Sequence, residues 1–226
     1  MPFPPHSPCL PQSAEPGALP LRGITLLLVE DSRFTCDALR LIVTRSGARL
    51  RRAETLAAAH AHLGRYRPDL LIVDLGLPDG RGEALIAEAA ALGLPVLGIS
   101  GDPDGGRLAL DAGAVAFLEK PFPSIAAFLR LIRQLVAGVG AIPAGEEVAT
   151  PKGDPMALRD DLARAVRLVD GDANDAGYAT GFVRSLARTV GDVALEDAAL
   201  RAGDAPGRRA LSALLAQRLT EVQPVA

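Results

Sequence analysis

The sequence predicts an α/β protein: a doubly wound, five-stranded parallel sheet followed by a small all-α region. Three observations carry that expectation. Short, continuous apolar runs recur through the first part of the chain. Segments with helical apolar spacing stand between them. Beyond a Gly/Pro-rich stretch the runs stop, and only helical spacing remains.

The elements follow in order. "ITLLLV" (Ile24 to Val29) reads as a strand covered on both faces. Ser32 to Ser46 carries Leu39, Ile42 and Val43 at helical spacing. "ARLRRA" is a weaker second strand, and Leu56 to Tyr66 an Ala-rich helix. "DLLIVDLGLPDGRG" gives a third strand ending in Asp74, then a loop stocked with Pro and Gly. Glu83 to Leu92 is a helix, "LPVLGIS" a fourth strand, and Arg107 to Ala112 a short helix. "AVAFLEKPF" supplies the fifth strand, and Ser124 to Ala137 the closing helix. Right-handed crossovers then give a parallel sheet sandwiched by helices. Its site belongs outside the carboxyl ends of the strands, where the strand order switches.

The domain boundaries expected from this pattern are a disordered, Pro-rich extension over 1–20, an α/β domain over 21–138, a linker over 139–154 and a helical region over 155–226. In the last region Asp154-Pro155 is a helix start. Leu158, Leu162, Ala165, Val166 and Val169 make one apolar stripe, and Tyr178, Phe182, Leu186 and Val190 a second. Leu195 to Ala202 is a short third helix. A fourth opens at Pro206 and carries Leu211, Leu214, Leu215, Leu219 and Val222.

Composition narrows the function. The 226 residues are 49% hydrophobic and 23% charged, which suits a globular core. A net charge of -3 gives no electrostatic reason to expect nucleic acid as the main partner. Two cysteines, Cys9 in the tail and Cys36 in a helix, fit a reducing compartment. The first residues lack a basic start and an unbroken apolar run, and no stretch is long enough for a membrane span, so a cytoplasmic protein without membrane contact is expected.

The acids are the chemical signal. Glu30 and Asp31 end the first strand and Asp74 the third. If those strands are neighbours, three carboxylates converge, and like charges so close call for a cation. Oxygen ligands suit Mg²⁺. Ser100 at the end of the fourth strand adds a hydroxyl, and Lys120 after the fifth adds a point cation. Together they make a phosphoryl clamp in which Asp74 is the best-placed nucleophile.

These residues resemble the flavodoxin-like receiver domain of two-component response regulators, over roughly Ile24 to Ala137. "VEDS" looks like its acidic pair. "DLGLPDGRG" follows its phosphoacceptor loop, with Pro78 four and Gly82 eight residues after Asp74. "GISG" looks like its switch-hydroxyl segment, and "FLEKPF" like its Lys-Pro segment, where the family usually has a cis peptide. The resemblance implies that Asp74 accepts a phosphoryl group from a phosphohistidine on a sensor histidine kinase or phosphotransfer protein. It implies that Glu30, Asp31, Asp74 and the Gly76 carbonyl hold Mg²⁺. It also implies that Ser100 and Phe117 move together on phosphorylation and reshape the face made by the fourth helix, fifth strand and fifth helix. The chain is then a phosphoprotein and not an enzyme. It departs from the family at Gly76, where a larger side chain is common, and in the Gly- and acid-rich "GDPDGG" after Ser100, which is expected to loosen the start of the fourth helix.

Plainer readings stand beside these. Phe117 reads equally well as plain core, Cys36 as a small core residue, and His60 and His62 as solvated groups on a surface helix. The helical region has no histidine, so it is not a histidine phosphotransfer module. Its ten basic and eleven acidic residues from Pro151 onward balance. Its Leu stripes need a surface to bury, which favours output through protein contacts, with a homodimer or partner protein. Two alternatives are a DNA-binding transcriptional regulator, from a faint helix-turn-helix pattern around Ala199 and Gly203, and a phosphate-ester hydrolase using the same acids. Asp204 falls where the helix-turn-helix pattern wants an apolar residue.

Overall fold

The computed structural model describes residues 19–122, 125–137, 154–171 and 176–222. The expected N-terminal extension and linker lie outside the described residues, apart from Leu19, Pro20 and Asp154.

Five parallel strands form the sheet: β1 (Thr25–Val29), β2 (Arg49–Ala53), β3 (Leu70–Asp74), β6 (Val96–Ser100) and β7 (Ala116–Glu119), in the order β2-β1-β3-β6-β7. A two-stranded antiparallel hairpin, β4 (Gly76–Leu77) and β5 (Gly80–Arg81), follows β3. β1 and β3 pair in register from Leu26↔Leu70 to Val29↔Val73. All five residues of β3 are buried, which is why its sequence is continuously apolar up to Asp74. β2 sits at the edge, and its arginines leave the apolar pattern weak.

Alternation along the strands feeds two cores. Leu26, Leu28, Leu70 and Ile72 face α1 (Arg33–Arg45) and α5 (Ile125–Ala137), through Leu39, Ile42, Phe128 and Ile132. Leu27, Val29, Leu71 and Val73 face α2 (Leu56–Leu63), α3 (Gly82–Ala91) and α4 (Gly105–Asp111), through Ala59, Leu85, Ile86 and Ala109. The strand order reverses between β1 and β3, and their carboxyl ends open the crevice expected for a site.

The C-terminal helices are α6 (Pro155–Asp170), α7 (Ala176–Val190), α8 (Val193–Leu200) and α9 (Ala205–Glu221). Asp154 caps α6 by accepting from the Met156 amide. Asp204, out of place for a helix-turn-helix, instead caps α9 by accepting from Gly207 N–H. The Leu stripes close on one another: Leu162, Ala165, Phe182, Leu186, Leu195, Leu211 and Leu215 share one core. The surface those stripes were expected to seek is therefore supplied within the chain. Val190 is the exception, at the exposed end of its stripe.

α4 begins at Gly105 rather than at Arg107. A Cβ at Gly105 would stand 3.1 Å from the Phe117 ring, and one at Gly106 3.2 Å from it. The glycines that look like a loosened helix start are room for that ring. Cys36 lies in the core, with its thiol pushed well above the ordinary range by burial and then by Glu30. His60 stays at the surface, within 2.7 Å of Glu88.

Candidate functional site

The loop after β1 places Glu30 and Asp31, and the last residue of β3 places Asp74. All three are buried, and each offers an oxygen within 4.8 Å of the others. Lys120 follows β7, 1% exposed, and is joined to Pro121 by a cis peptide. Its Nζ donates to Glu30 Oε2 at 2.5 Å and lies 3.2 Å from Asp74 Oδ2. Glu30 also accepts from the Ser32 amide at 3.0 Å. Ser100, at the end of β6, accepts from the Asp102 amide through Oγ. Phe117 lies half-buried on β7, beside Gly98, Gly105 and Gly106.

The loop that carries Gly76 turns back as the β4–β5 hairpin, and Gly82 N–H donates to Leu75 O at 3.1 Å. A Cβ on Gly82 would collide with the Asp74 carbonyl oxygen and lie 2.9 Å from Leu75 Cα. Glycine there lets the start of α3 press against the backbone that presents Asp74. At Gly76 a Cβ would meet nothing within 4 Å.

Electrostatics follow from crowding. Burial first, then Asp74 and Asp31, push the Glu30 carboxyl up to about 8 against the opposing pull of Lys120. Burial also pushes Asp31 up to about 6, with Asp74 adding to it and Tyr178 and Arg164 opposing. Burial works to lower the Lys120 ammonium, but Asp74 and Glu30 outweigh it and hold it above its ordinary value. The side chains offered are all carboxylates. That donor set fits a hard divalent ion such as Mg²⁺ and not a soft one.

A stability dependence follows. In the folded chain Asp31 and Glu30 keep protons that the unfolded chain has already lost. Folded protein therefore binds more protons, and its stability falls as pH rises. The window runs from their ordinary values of 3.8 and 4.5 to about 6 and about 8. Melting temperature in a chelator is expected to drop between pH 5 and about pH 8, and excess Mg²⁺ to flatten that slope. Calorimetry with and without the ion checks both.

The helical region reaches this site, and nothing in the sequence reading anticipated it. Tyr178 O–H donates to Asp31 Oδ2, and Arg164 lies 3.0 Å from the same oxygen while donating to the Asp31 carbonyl at 2.8 Å. Burial, then the Asp31 carboxylate, hold the Tyr178 hydroxyl well above its usual range. Asp161, 1% exposed, accepts from Ser32 Oγ at 2.8 Å and from the amides of Arg33 and Phe34 at 3.1 and 3.0 Å. Ser185 Oγ is 3.4 Å from Lys120 Nζ. Arg188 donates to the Gly101 carbonyl and to Glu119. Tyr178 had been read only as part of an apolar stripe. Its hydroxyl, which a buried tyrosine must satisfy, was the one available signal.

Among the described residues no helix is long and apolar enough to cross a membrane.

Residues 26–132 match the response regulator receiver domain family. The KDP operon transcriptional regulatory protein KdpE of Escherichia coli (strain K12) is 38% identical over 100 residues, which cover 43% of this chain and 44% of that protein. The chain thus spans less than half the length of this relative. Transcriptional regulatory protein KdpE of Mycobacterium tuberculosis (strain ATCC 25618 / H37Rv) is 32% identical over 170 residues, 74% of each chain. Among solved structures, the signal receiver domain of a signal transduction histidine kinase from Syntrophus aciditrophicus shares 26% identity, covering 56% of this chain and 100% of that one, with a TM-score of 0.48. With the mycobacterial relative aligned over three quarters of both chains, this chain belongs to the two-component response regulators, signalling proteins rather than enzymes, as a receiver domain followed by a helical C-terminal region.

Proposed function

We propose that the chain is a phosphorelay response regulator in which Asp74 accepts a phosphoryl group from the phosphohistidine of a sensor histidine kinase or phosphotransfer protein. The observation that carries this reading is the buried triad Glu30, Asp31 and Asp74 around Lys120 at the carboxyl edge of the sheet. An Asp74 carboxylate oxygen attacks phosphorus, the N–P bond of the donor breaks, and the imidazole nitrogen keeps the electron pair. Lys120 stands beside Asp74 to offset the phosphoryl charge, while Glu30 holds its ammonium in place. Glu30, Asp31, Asp74 and the Gly76 carbonyl would hold Mg²⁺, and the ion would supply charge neutralisation at the phosphoryl oxygens. The Ser100 hydroxyl would turn toward the new phosphoryl oxygen, and Phe117, whose ring already lies against Gly105 and Gly106, would shift with it.

On this reading the chain divides into a receiver over 21–138, a linker over 139–154 and an output region over 155–226, working in the cytoplasm. Incubation with a small phosphodonor and Mg²⁺ tests the reading. Single-turnover labelling is expected in the parent and at least 100-fold less in Asp74→Asn; equal labelling of the two would sink it. Continuous turnover of phosphate esters would favour a hydrolase instead.

We infer that output runs through protein contacts, because the polar faces of α6 and α7 are already built to grip another surface. A second reading, DNA binding, is favoured by the relatives that are named transcriptional regulators and align beyond the receiver. Gel shift on genomic fragments, with and without phosphodonor, separates the two.

A further inference from the structure

The open carboxyl edge of a sheet is where a phosphohistidine must arrive, yet Asp74 is only 4% exposed and Asp31 and Lys120 1%. What covers them is the chain's own helical region. A cavity of about 140 Å³ remains, with Asp74, Ser100 and Gly101 on one wall and Gly181, Arg184 and Ser185 of α7 on the other. α7 therefore stands where the donor has to come.

The grip is specific and polar. Tyr178 and Arg164 engage the same Asp31 oxygen, which a metal ion would need. Asp161 satisfies the first amides of α1, and Arg188 holds the Gly101 carbonyl. The apolar core of α6–α9 is complete without the receiver, and the receiver's two cores are complete without it. Separation would return these hydrogen bonds and ion pairs to water without opening any of the three cores.

We propose that α6–α9 is an internal competitor for the surface that the phosphohistidine-bearing partner must use, and that Mg²⁺ uptake and transfer to Asp74 require its release. This rests on the reading of Asp74 as phosphoacceptor. The region lacks histidine, so it occupies the donor's place without being able to donate. Release then does two things at once: it opens the site and frees the polar faces of α6 and α7 for an output partner.

The geometry allows a lock. A Cβ built on Gly101 stands 3.5 Å from Ser185 Cβ, within reach of a disulfide, and 3.0 Å from Ser185 Cα, so α7 must give by a few tenths of an ångström to admit it and the comparison is made within the one variant. In a Cys9→Ser background, the pair Gly101→Cys and Ser185→Cys is compared oxidised and reduced. The oxidised form is expected to bind Mg²⁺ at least tenfold more weakly by calorimetry, and to be labelled by phosphoramidate at least tenfold more slowly. Independently, Asp161→Ala is expected to bind the ion more tightly and label several-fold faster than the parent. Equal Mg²⁺ affinity and equal labelling across oxidised, reduced and Asp161→Ala proteins would overturn the cover while leaving Asp74 as acceptor. Labelling that survives Asp74→Asn in the reduced protein would overturn the acceptor reading itself.

Discussion

Replacing Lys120 by alanine is expected to destabilise the folded chain by about 3–5 kcal/mol, the cost of breaking a buried ion pair by removing one partner. Its ammonium lies between Glu30 at 2.5 Å and Asp74 at 3.2 Å, and all three side chains are out of water. Without it, Glu30 Oε2 loses its donor and Asp74 its adjacent cation, both out of water. Truncation also leaves a cavity where the alkyl stem ran. Lys120→Met keeps most of the volume and loses the charge, so the difference between the two variants separates packing from electrostatics. Urea unfolding with an unchanged slope is the measurement. Excess Mg²⁺ is expected to recover part of the loss in both, because it brings positive charge back to the same carboxylates. A Lys120→Met protein as stable as the parent would show that the ammonium is not what holds the acids together.

Gly82→Ala is the second large effect, at about 3 kcal/mol, the upper range for overpacking. The added methyl meets backbone, the Asp74 carbonyl and Leu75 Cα, and no rotamer change can move it aside. Relief must come from shifting the end of β3 or the start of α3. Either shift displaces Asp74 relative to Asp31 and Lys120, so Mg²⁺ affinity is expected to fall along with stability. Gly76→Ala is the control: it lies in the same loop with open space around its Cβ, and is expected to stay within about 0.5 kcal/mol of the parent. Thermal melts and magnesium titrations of the pair give a sharp contrast between two glycines six residues apart.

That contrast marks what a sequence can convey. β1 and β3 were readable because strands buried on both faces leave unbroken apolar runs, and the acids at their ends broke those runs visibly. The convergence of Glu30, Asp31 and Asp74 needed only the assumption that β1 and β3 are neighbours, which the sheet order bears out. The β4–β5 hairpin was read as plain loop, since two-residue strands have no period to detect. α8 begins at Val193, two residues ahead of the expected start, where Asp192 accepts from the Leu195 amide and fixes the cap. The contact between the helical region and the acids was invisible for a different reason. Asp161, Arg164, Tyr178 and Ser185 look like the wet face of amphipathic helices. Only the three-dimensional path of the chain turns that face toward Asp31 and Lys120.

Seventeen residues, 138–154, join α5 to α6. On the release proposed above, a flexible linker of that length would keep the two regions at a local concentration on the order of millimolar. A free protein present at micromolar levels thus starts with a roughly thousandfold handicap against a tethered rival. Lengthening the tether would lower that handicap only gradually, whereas a single lost ion pair at Asp31 would change it in one step.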